Sequence, residues 1–139
     1  MRSYFFRISF IIIVVSLLSC THNNGDIGPL FGQWKLTTLL IDENPDKNYK
    51  GNIYFSFQND VTNMKIINDN QNVYDTYGHW KQEGNKLLLI YDDPIFPPLL
   101  ETYFNPGINI CEIITLDNKE LILKRVTEDK TYTYKFKKW

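Results

Sequence analysis

The chain carries the sequence FGQWKLTTLLI at residues 31–41, and this stretch decides how the rest is interpreted. After Gly32 and Trp34, apolar residues recur among polar ones. Alternation with a period of two is typical of a β-strand that packs one face against a core. We therefore predict a first strand over residues 33–41. Its predicted inner face carries Trp34, Leu36, Thr38 and Leu40.

Seven more strands are predicted downstream, because short apolar runs alternate with turns rich in Asn, Asp and Gly. Aromatic residues make up 15% of the chain, and they favour the pleated, half-buried surface of a sheet. The run KLLLIY at residues 86–91 is almost continuously apolar, which predicts that both of its faces are covered. The eight predicted strands are residues 33–41, 52–58, 61–68, 73–82, 86–91, 108–116, 120–127 and 131–137.

Eight short strands joined mostly by tight turns indicate an all-β protein with an antiparallel up-and-down meander. Closing this meander into a barrel removes sheet edges that would otherwise be open to aggregation. An eight-stranded barrel is just wide enough to be filled by its own side chains or to hold one small ligand. A filled interior is favoured because the chain is short and its interior candidates are large. These candidates are Trp34, Phe55, Phe57 and Phe136.

Residues 1–19 have the composition of an export signal and not that of a folded domain. Arg2 and Arg7 form a basic segment, and a strongly apolar segment follows at residues 8–18. That segment is too short to span a bilayer comfortably, since a transmembrane helix needs roughly 20 apolar residues. The sequence LLSC at residues 17–20 then resembles the lipobox of bacterial lipoproteins.

The lipobox resemblance implies that Cys20 is lipid-modified and anchors the mature protein to a membrane. An ordinary cleaved signal and an uncleaved anchor are the alternatives. Thr21, and not Asp, follows the cysteine, which in lipoproteins favours the outer membrane. Residues 20–29 are interpreted as a lipidated tether, and the nine residues after Cys20 reach at most roughly 30 Å. We therefore expect a lipid-anchored location in the cell envelope.

Charge and cysteine content narrow the function classes. The chain has 15 basic and 16 acidic residues, and loss of two basic residues with the signal leaves 13 against 16, a formal charge of −3. The one basic group of the mature chain, KFKK at residues 135–138, is small, so nucleic-acid binding is not expected.

If Cys20 carries lipid, Cys111 has no disulfide partner. We interpret Cys111 as a buried, inert thiol, with a reactive thiol as the alternative.

The longest predicted connection covers residues 92–107 and contains four of the six prolines. Residues 99–104 are predicted to form one or two helical turns, with Pro98 at the first helical position. Connections of this length are usually functional. We therefore expect this segment to act as a plug or as a lid over one end of the barrel.

Three motifs resemble the small lipocalin-like lipoproteins of Gram-negative bacteria. They are the Gly-x-Trp at residues 32–34, the sequence YGHW at residues 77–80 that leads to GNKLLL at 84–89, and TYTYKF at 131–136. The resemblance implies an eight-stranded up-and-down barrel, often with an unknown ligand. It also implies three parts: a signal peptide over residues 1–19, the tether over 20–29 and the barrel domain over 30–139.

The lipocalin resemblance also implies a closed end for the barrel. In lipocalins the Trp of the first strand packs at that end, and an Arg from a late strand commonly lies over its ring. Arg125 is the one arginine that remains after residues 1–19. We therefore assign Gly32, Trp34 and Arg125 to the closing of the barrel, with a surface position for Arg125 as the alternative.

No motif specifies catalysis, a metal or a cofactor. The barrel domain has His79 as its one histidine and Ser56 as its one serine, and neither lies on the strained turn that a nucleophile needs. Asp92, Asp93 and Glu101 lie close in sequence and would suit a cation or an acid–base pair, but a solvated turn is the simpler interpretation. We expect a protein that is not an enzyme and that uses no cofactor.

Two functions remain open. The first is a tethered module that holds a small apolar or amphipathic ligand in the barrel, because amphipathic aromatic side chains suit a barrel mouth. The second is a filled barrel that binds another envelope protein through its loops, as an assembly factor or an enzyme inhibitor. An interior cavity of a few hundred Å³ would favour the first function, whereas a solid core with an exposed aromatic loop would favour the second. The candidate ligand-binding residues are Tyr77, Trp80, Tyr103, Tyr132 and Tyr134.

Overall fold

The computed structural model describes residues 28–92 and 104–139 of the chain, and in this part nine β-strands follow one another. No described residue lies in a helix, so none of the described segments forms a helix long and apolar enough to cross a bilayer. The strands are β1 (Gly32–Ile41), β2 (Asn44–Pro45), β3 (Ile53–Gln58), β4 (Val61–Ile67), β5 (Val73–Glu83), β6 (Lys86–Tyr91), β7 (Gly107–Leu116), β8 (Glu120–Val126) and β9 (Thr131–Lys138).

The strands form one closed antiparallel sheet. From β3 onward each strand pairs with the next, β1 pairs with β3, and β1 also pairs with β9 to close the cycle. The eight long strands therefore make an up-and-down barrel, and the prediction of an eight-stranded lipocalin-like barrel is confirmed. Each predicted strand is present, with both ends within one residue of the expected positions.

The short strand β2 was not predicted. Asn44 and Pro45 pair with Ile41 and Leu40 of β1 through a two-residue turn. Asp42 and Glu43 form that turn with φ angles of 50° and 66°. A type I′ hairpin turn requires positive φ values at both central residues, and its usual sequence at these positions is Asn-Gly or Asp-Gly. Because Asp-Glu does not have this signature, the sequence predicts a loop here.

A β-bulge in β1 changes which side chains face the interior. The register between β1 and β9 shifts between Leu36 and Thr38, so one extra residue lies on β1. Beyond the bulge the alternation is inverted, and Leu39 is buried while Leu40 is only half-buried. The prediction that Thr38 and Leu40 point inward is therefore wrong, whereas Trp34 and Leu36 are buried as expected.

Large apolar side chains fill the interior of the described barrel. The interior candidates Trp34, Phe55, Phe57 and Phe136 are all almost fully buried, which confirms their assignment. In β6 the inner residues are buried, while the outer Leu88 and Ile90 are only half-buried. The prediction that both faces of β6 are covered is therefore wrong, because a single-layer barrel wall has one face on the core and one face outward.

The barrel has two distinct ends. At the end that we call the closed end lie the start of β1, the end of β9 and the turn that joins β5 to β6. At the opposite end, called the loop end, lie the turn that joins β8 to β9 and the long connection between β6 and β7. Residues 93–103 of that connection lie outside the described residues, and so does most of the helical turn expected at 99–104.

Candidate functional site

The closed end is organised around Trp34, whose side chain is fully buried. Its indole Nε1 donates a hydrogen bond of 2.7 Å to the carbonyl oxygen of Leu30. The ammonium Nζ of Lys138 lies 4.3 Å from the ring centroid and donates hydrogen bonds to the carbonyl oxygens of Pro29 and Phe31. Gly32 adopts a φ of 115°, which glycine tolerates best, and this lets the chain turn into β1 beneath that ammonium group. These contacts fix the entry of the chain into the barrel.

Arg125 does not take part in this closure, so its predicted pairing with Trp34 is wrong. Arg125 pairs with Tyr132 of β9, and Tyr132 pairs with Ile41 at the far end of β1 from Trp34. The cation over the indole is instead Lys138, which is the register partner of Trp34. A cation from the last strand therefore performs the role that the resemblance assigned to Arg125.

The loop-end half of the interior is organised around Phe104, which comes from the long connection and not from a strand. Its ring is buried and stacks on Tyr134 with centroids 4.8 Å apart and planes 20° apart. It also meets Phe55 edge-on at 5.6 Å and lies 6.3 Å from Tyr91. Because these partners belong to β3, β6 and β9, the ring of Phe104 occupies the centre of the barrel.

Arg125 lies directly beside this ring and is itself only 4% exposed. Its guanidinium carbon is 5.3 Å from the Phe104 centroid and 4.8 Å from the Tyr132 centroid. Its Nη1 donates a hydrogen bond of 2.9 Å to the Oδ1 of Asn109. Within the described residues, its Nε has no hydrogen-bond partner and no carboxylate forms an ion pair with it.

Asn109 connects Arg125 to the backbone that carries Phe104. Its Oδ1 accepts a second hydrogen bond of 2.8 Å, from the amide nitrogen of Asn105. Its Nδ2 donates a 2.7 Å bond to the carbonyl oxygen of the same residue. The buried amide therefore holds both the guanidinium and the residue that follows Phe104, which fixes the ring and the charge relative to each other.

Burial determines the protonation of the neighbouring side chains. Removal from water raises the pKa of the Tyr134 and Tyr91 hydroxyls far above the ordinary range, so both stay neutral. Burial also raises the pKa of the Cys111 thiol to about 12, although the positive charge of Arg125 acts in the opposite direction. Of the residues that the structure describes at this site, Arg125 therefore carries the permanent positive charge, and the aromatic side chains around it are neutral.

We predict that Cys111 is unreactive while the barrel is folded. Its side chain is fully buried and its thiol stays protonated at neutral pH, whereas the thiolate is the nucleophile. In a Cys20→Ser variant at about pH 8, an aromatic disulfide reagent should label the native protein at least about 100-fold more slowly than the urea-unfolded protein. Rapid labelling under native conditions would contradict the burial of this residue.

The predicted ligand-binding residues do not form a single site. Tyr132 and Tyr134 lie together in the loop-end interior, stacked with ring centroids 6.2 Å apart. Trp80 contacts Phe57 at 5.7 Å, on the interior side of β5. Tyr77 lies on the outer wall and is 64% exposed, and Tyr103 lies outside the described residues.

Sequence reasoning missed the interior placement of Phe104, Asn109 and Arg125. For Arg125 and Asn109 the sequence contained a signal of this placement. Arg125 follows the buried Leu121 and Leu123 at the same parity along β8, and Asn109 shares its parity with Cys111 on β7. Period-two alternation therefore places both polar side chains on the inner face. For Phe104 there was no such signal, because it belongs to no strand.

The residues considered for catalysis do not converge. Ser56 lies half-buried on β3, and His79 lies exposed on β5 with its Nδ1 3.6 Å from the Oδ2 of Asp60. Asp92 is exposed, while Asp93 and Glu101 lie outside the described residues. In the part of the chain that the structure describes, no group of three His, Cys, Asp or Glu residues is placed to hold a metal ion.

The outer wall carries two further features. A groove of about 230 Å³ is lined by the half-buried ring of Tyr54 and the exposed ring of Trp139, which meet edge-on at 5.4 Å. On β7, Ile108, Ile110 and Ile114 are all more than half exposed. The groove therefore lies outside the barrel and not in its interior.

Comparisons with known proteins agree with this architecture. Residues 13–139 match the family model described as a lipocalin-like domain. The structure is similar to that of a lipocalin-like protein from Bacteroides uniformis, with 18% identity, a TM-score of 0.66, and coverage of 81% of this chain and 100% of that one. It is also similar to an uncharacterized protein from Bacteroides eggerthii, with 16% identity, a TM-score of 0.64, and coverage of 79% and 99%. No significant match was found among curated proteins.

At these identities the two structures support the fold alone, whereas the family match covers most of the sequence. The strand order and the closed barrel are those that the family implies. We conclude that this chain belongs to the lipocalin-like domain family.

Proposed function

We propose that the protein is a membrane-tethered binding module that takes a small amphipathic ligand into the loop end of its barrel. A single observation carries this proposal: the centre of the barrel is occupied by Phe104, a side chain that no strand supplies. The walls of the barrel are fixed by the hydrogen bonds of the strands. A ligand can take the place of the Phe104 ring without breaking any strand pairing.

The surroundings of Phe104 suit such a ligand. Binding pockets are mostly apolar and aromatic, with a few polar groups that fix orientation. Here Phe55 and Tyr134 offer aromatic surface, while Asn109 and Arg125 offer buried hydrogen-bonding groups on one side. The described buried polar atoms nearer the closed end are the indole N–H groups of Trp34 and Trp80 and the hydroxyl of Thr62, and all three are neutral. None of them is joined to a buried charge as Asn109 is joined to Arg125.

Binding is favoured over catalysis as the role of this site. The polar groups beside Phe104 are an amide and a guanidinium, and neither Asn109 nor Arg125 can act as a general base or a nucleophile at neutral pH. The neighbouring Tyr134 hydroxyl and Cys111 thiol are held in their protonated forms by burial. These groups orient a ligand but provide no proton acceptor.

The tether is the second element of the proposal. The sequence LLSC at residues 17–20 supports lipid modification of Cys20 and an outer-membrane location. Residues 28–30 enter the barrel at the closed end, so a short tether leaves the loop end directed away from the anchoring point. A Cys20→Ser variant should move from the membrane fraction to the soluble fraction of its host. An unchanged distribution would contradict lipid anchoring at this residue.

An interaction protein is the second candidate function, and the outer wall of β7 supports it. Ile108, Ile110 and Ile114 project from one strand and remain exposed, and Val126 on the neighbouring β8 is 69% exposed. Contiguous exposed apolar residues often mark contact surfaces of proteins. In this function a partner protein in the envelope would cover the β7 wall, and the interior would stay filled.

One experiment separates the two functions. The protein is purified from its own host under mild conditions and analysed by native mass spectrometry. A retained small molecule, lost when the protein is unfolded, would support the binding module. A retained second protein, lost in an Ile110→Lys variant that keeps its fold, would support the interaction protein. Isolation of bare protein at full yield would contradict tight binding of either kind.

A further inference from the structure

We propose that the ligand of the loop-end site is a small organic anion with an apolar body about the size of one aromatic ring, and that Arg125 is its counter-charge. This inference rests on the proposed function, because it names the chemical class of the ligand for the same site. The ring of Phe104 marks the place of the ligand's apolar body, and the guanidinium of Arg125 marks the place of its anionic group.

The charge of Arg125 is buried and has no ion-pair partner among the described residues. A buried guanidinium without an anion nearby is unfavourable, because the charge has lost its hydration and gained no opposite charge. Arg125 is 4% exposed and forms no ion pair within the described residues. Its compensation comes from the Oδ1 of Asn109, from the nearby hydroxyl of Tyr134 and from the faces of two aromatic rings, which are weaker partners than a carboxylate.

One N–H group of Arg125 has unused hydrogen-bonding capacity. Asn109 takes the hydrogen bond from Nη1, and the Nε–H of Arg125 has no partner among residues 28–92 and 104–139. A guanidinium binds carboxylates and phosphates through adjacent N–H groups in a planar fork. The unused Nε–H therefore provides a place for one oxygen of such a group. No described acidic side chain fills it.

The ring of Phe104 indicates the size of the ligand. The ring of Phe104 lies 5.3 Å from the guanidinium carbon and stacks on Tyr134 at 4.8 Å. A ligand ring in the same place would stack on the same tyrosine and bring a short acidic substituent within reach of Arg125. Removing the Phe104 ring should leave an apolar cavity, and cavities of about 150 Å³ are large enough to bind benzene.

The buried charge of Arg125 should make the site select ligands by their charge. A cationic ligand would meet the like charge of Arg125, and no acidic side chain among the described residues pairs with that charge to offset it. A neutral ligand would gain the aromatic contacts of Phe55 and Tyr134, and with a carbonyl oxygen it could accept a hydrogen bond from the Nε–H, but it would not neutralise the charge of Arg125. An anion gains the aromatic contacts and also neutralises the charge of Arg125. Discrimination between ligands by charge should therefore be large at this site. Specificity of this kind depends on a buried polar group that only one class of ligand satisfies.

The test compares phenylacetate with phenylacetamide, which has the same shape and no charge. Their binding is measured by isothermal titration calorimetry on the wild-type protein and on a Phe104→Ala variant. We expect the variant to bind phenylacetate at least about tenfold more tightly than the amide, which corresponds to about 1.4 kcal/mol. The wild-type protein should bind phenylacetate more weakly than the variant does, because the ring of Phe104 must first leave.

A second pair of variants tests the role of Arg125 itself. Adding Arg125→Gln to Phe104→Ala should abolish the preference for phenylacetate, because it should lower the affinity for phenylacetate much more than the affinity for phenylacetamide. If this variant does not fold by circular dichroism, Arg125→Lys keeps the charge without the planar fork, and it should retain a reduced preference. A preference that survives in Arg125→Gln would overturn the role of Arg125.

The outcomes separate the two proposals. Equal affinity of the Phe104→Ala variant for both probes would overturn the anion inference and leave the binding module intact. Failure of both probes to bind this variant, with its fold retained, would overturn the loop-end site and therefore both proposals. A retained ligand from the host that carries no acidic group would likewise contradict the anion inference while supporting the binding module.

Discussion

Replacing Trp34 with Ala is expected to lower the free energy of unfolding by about 4 kcal/mol, because large-to-small changes of fully buried Trp residues cost about 3–5 kcal/mol. The side chain of Trp34 is completely buried at the closed end of the barrel. Its removal leaves a cavity beneath Lys138 and deprives the carbonyl oxygen of Leu30 of its donor. Equilibrium unfolding in urea, followed by far-ultraviolet circular dichroism, measures the change.

Two matched variants show which contacts of Trp34 matter. Trp34→Phe keeps an aromatic ring but removes the indole N–H, and loss of the bond to Leu30 should cost about 1 kcal/mol before any packing change. Trp139→Ala removes the same side chain from a position that is 70% exposed, and it should cost less than about 1 kcal/mol. An equal loss for Trp34→Ala and Trp139→Ala would show that the closed end does not depend on Trp34.

Gly78→Ala is expected to lower the free energy of unfolding by about 3 kcal/mol, at the upper end of the range for overpacked cores. A Cβ atom at this position of β5 would overlap the carbonyl oxygen of Ile90 and would lie 2.7 Å from the Cδ1 of Tyr91. Both residues belong to the neighbouring strand β6, and one of the contacts is with backbone. Because a backbone carbonyl in a sheet cannot rotate away, the two strands must separate locally.

The matched control for Gly78→Ala is Gly28→Ala. A Cβ at Gly28 meets no atom within 4 Å, and its φ is not in the left-handed region. The same chemical change should therefore alter the free energy of unfolding by no more than about 0.5 kcal/mol. Urea unfolding of the two variants under identical conditions gives the comparison. If Gly78→Ala proves as mild as Gly28→Ala, the close approach of β5 and β6 is wrong.

The sequence determined the architecture well because most of its signals are local. Period-two alternation and turn composition act within a hairpin, so all eight long strands and their antiparallel order could be predicted. The errors arose where a residue breaks the period or acts across the barrel. The bulge between Leu36 and Thr38 exchanges the faces of the second half of β1, and no residue type in that stretch announces it.

The candidate site was harder to predict for the same physical reason. Which cation lies over Trp34 depends on the register between β1 and β9, and that register is a property of the closed barrel and not of either strand. Tyr77 and Trp80 were grouped by chemistry, yet strand parity sends them to opposite sides of β5. Phe104 reaches the interior from an irregular segment, where periodicity carries no information.

The closure of β1 onto β9 also has a consequence for how the chain folds. Almost every other strand pairing joins neighbours in sequence, so it forms by a local hairpin with a small loss of chain entropy. The pairing of β1 with β9 joins opposite ends of the domain and must wait until the intervening strands are in place. We therefore expect this seam to form last. Substitutions along it should then accelerate unfolding while leaving the folding rate nearly unchanged.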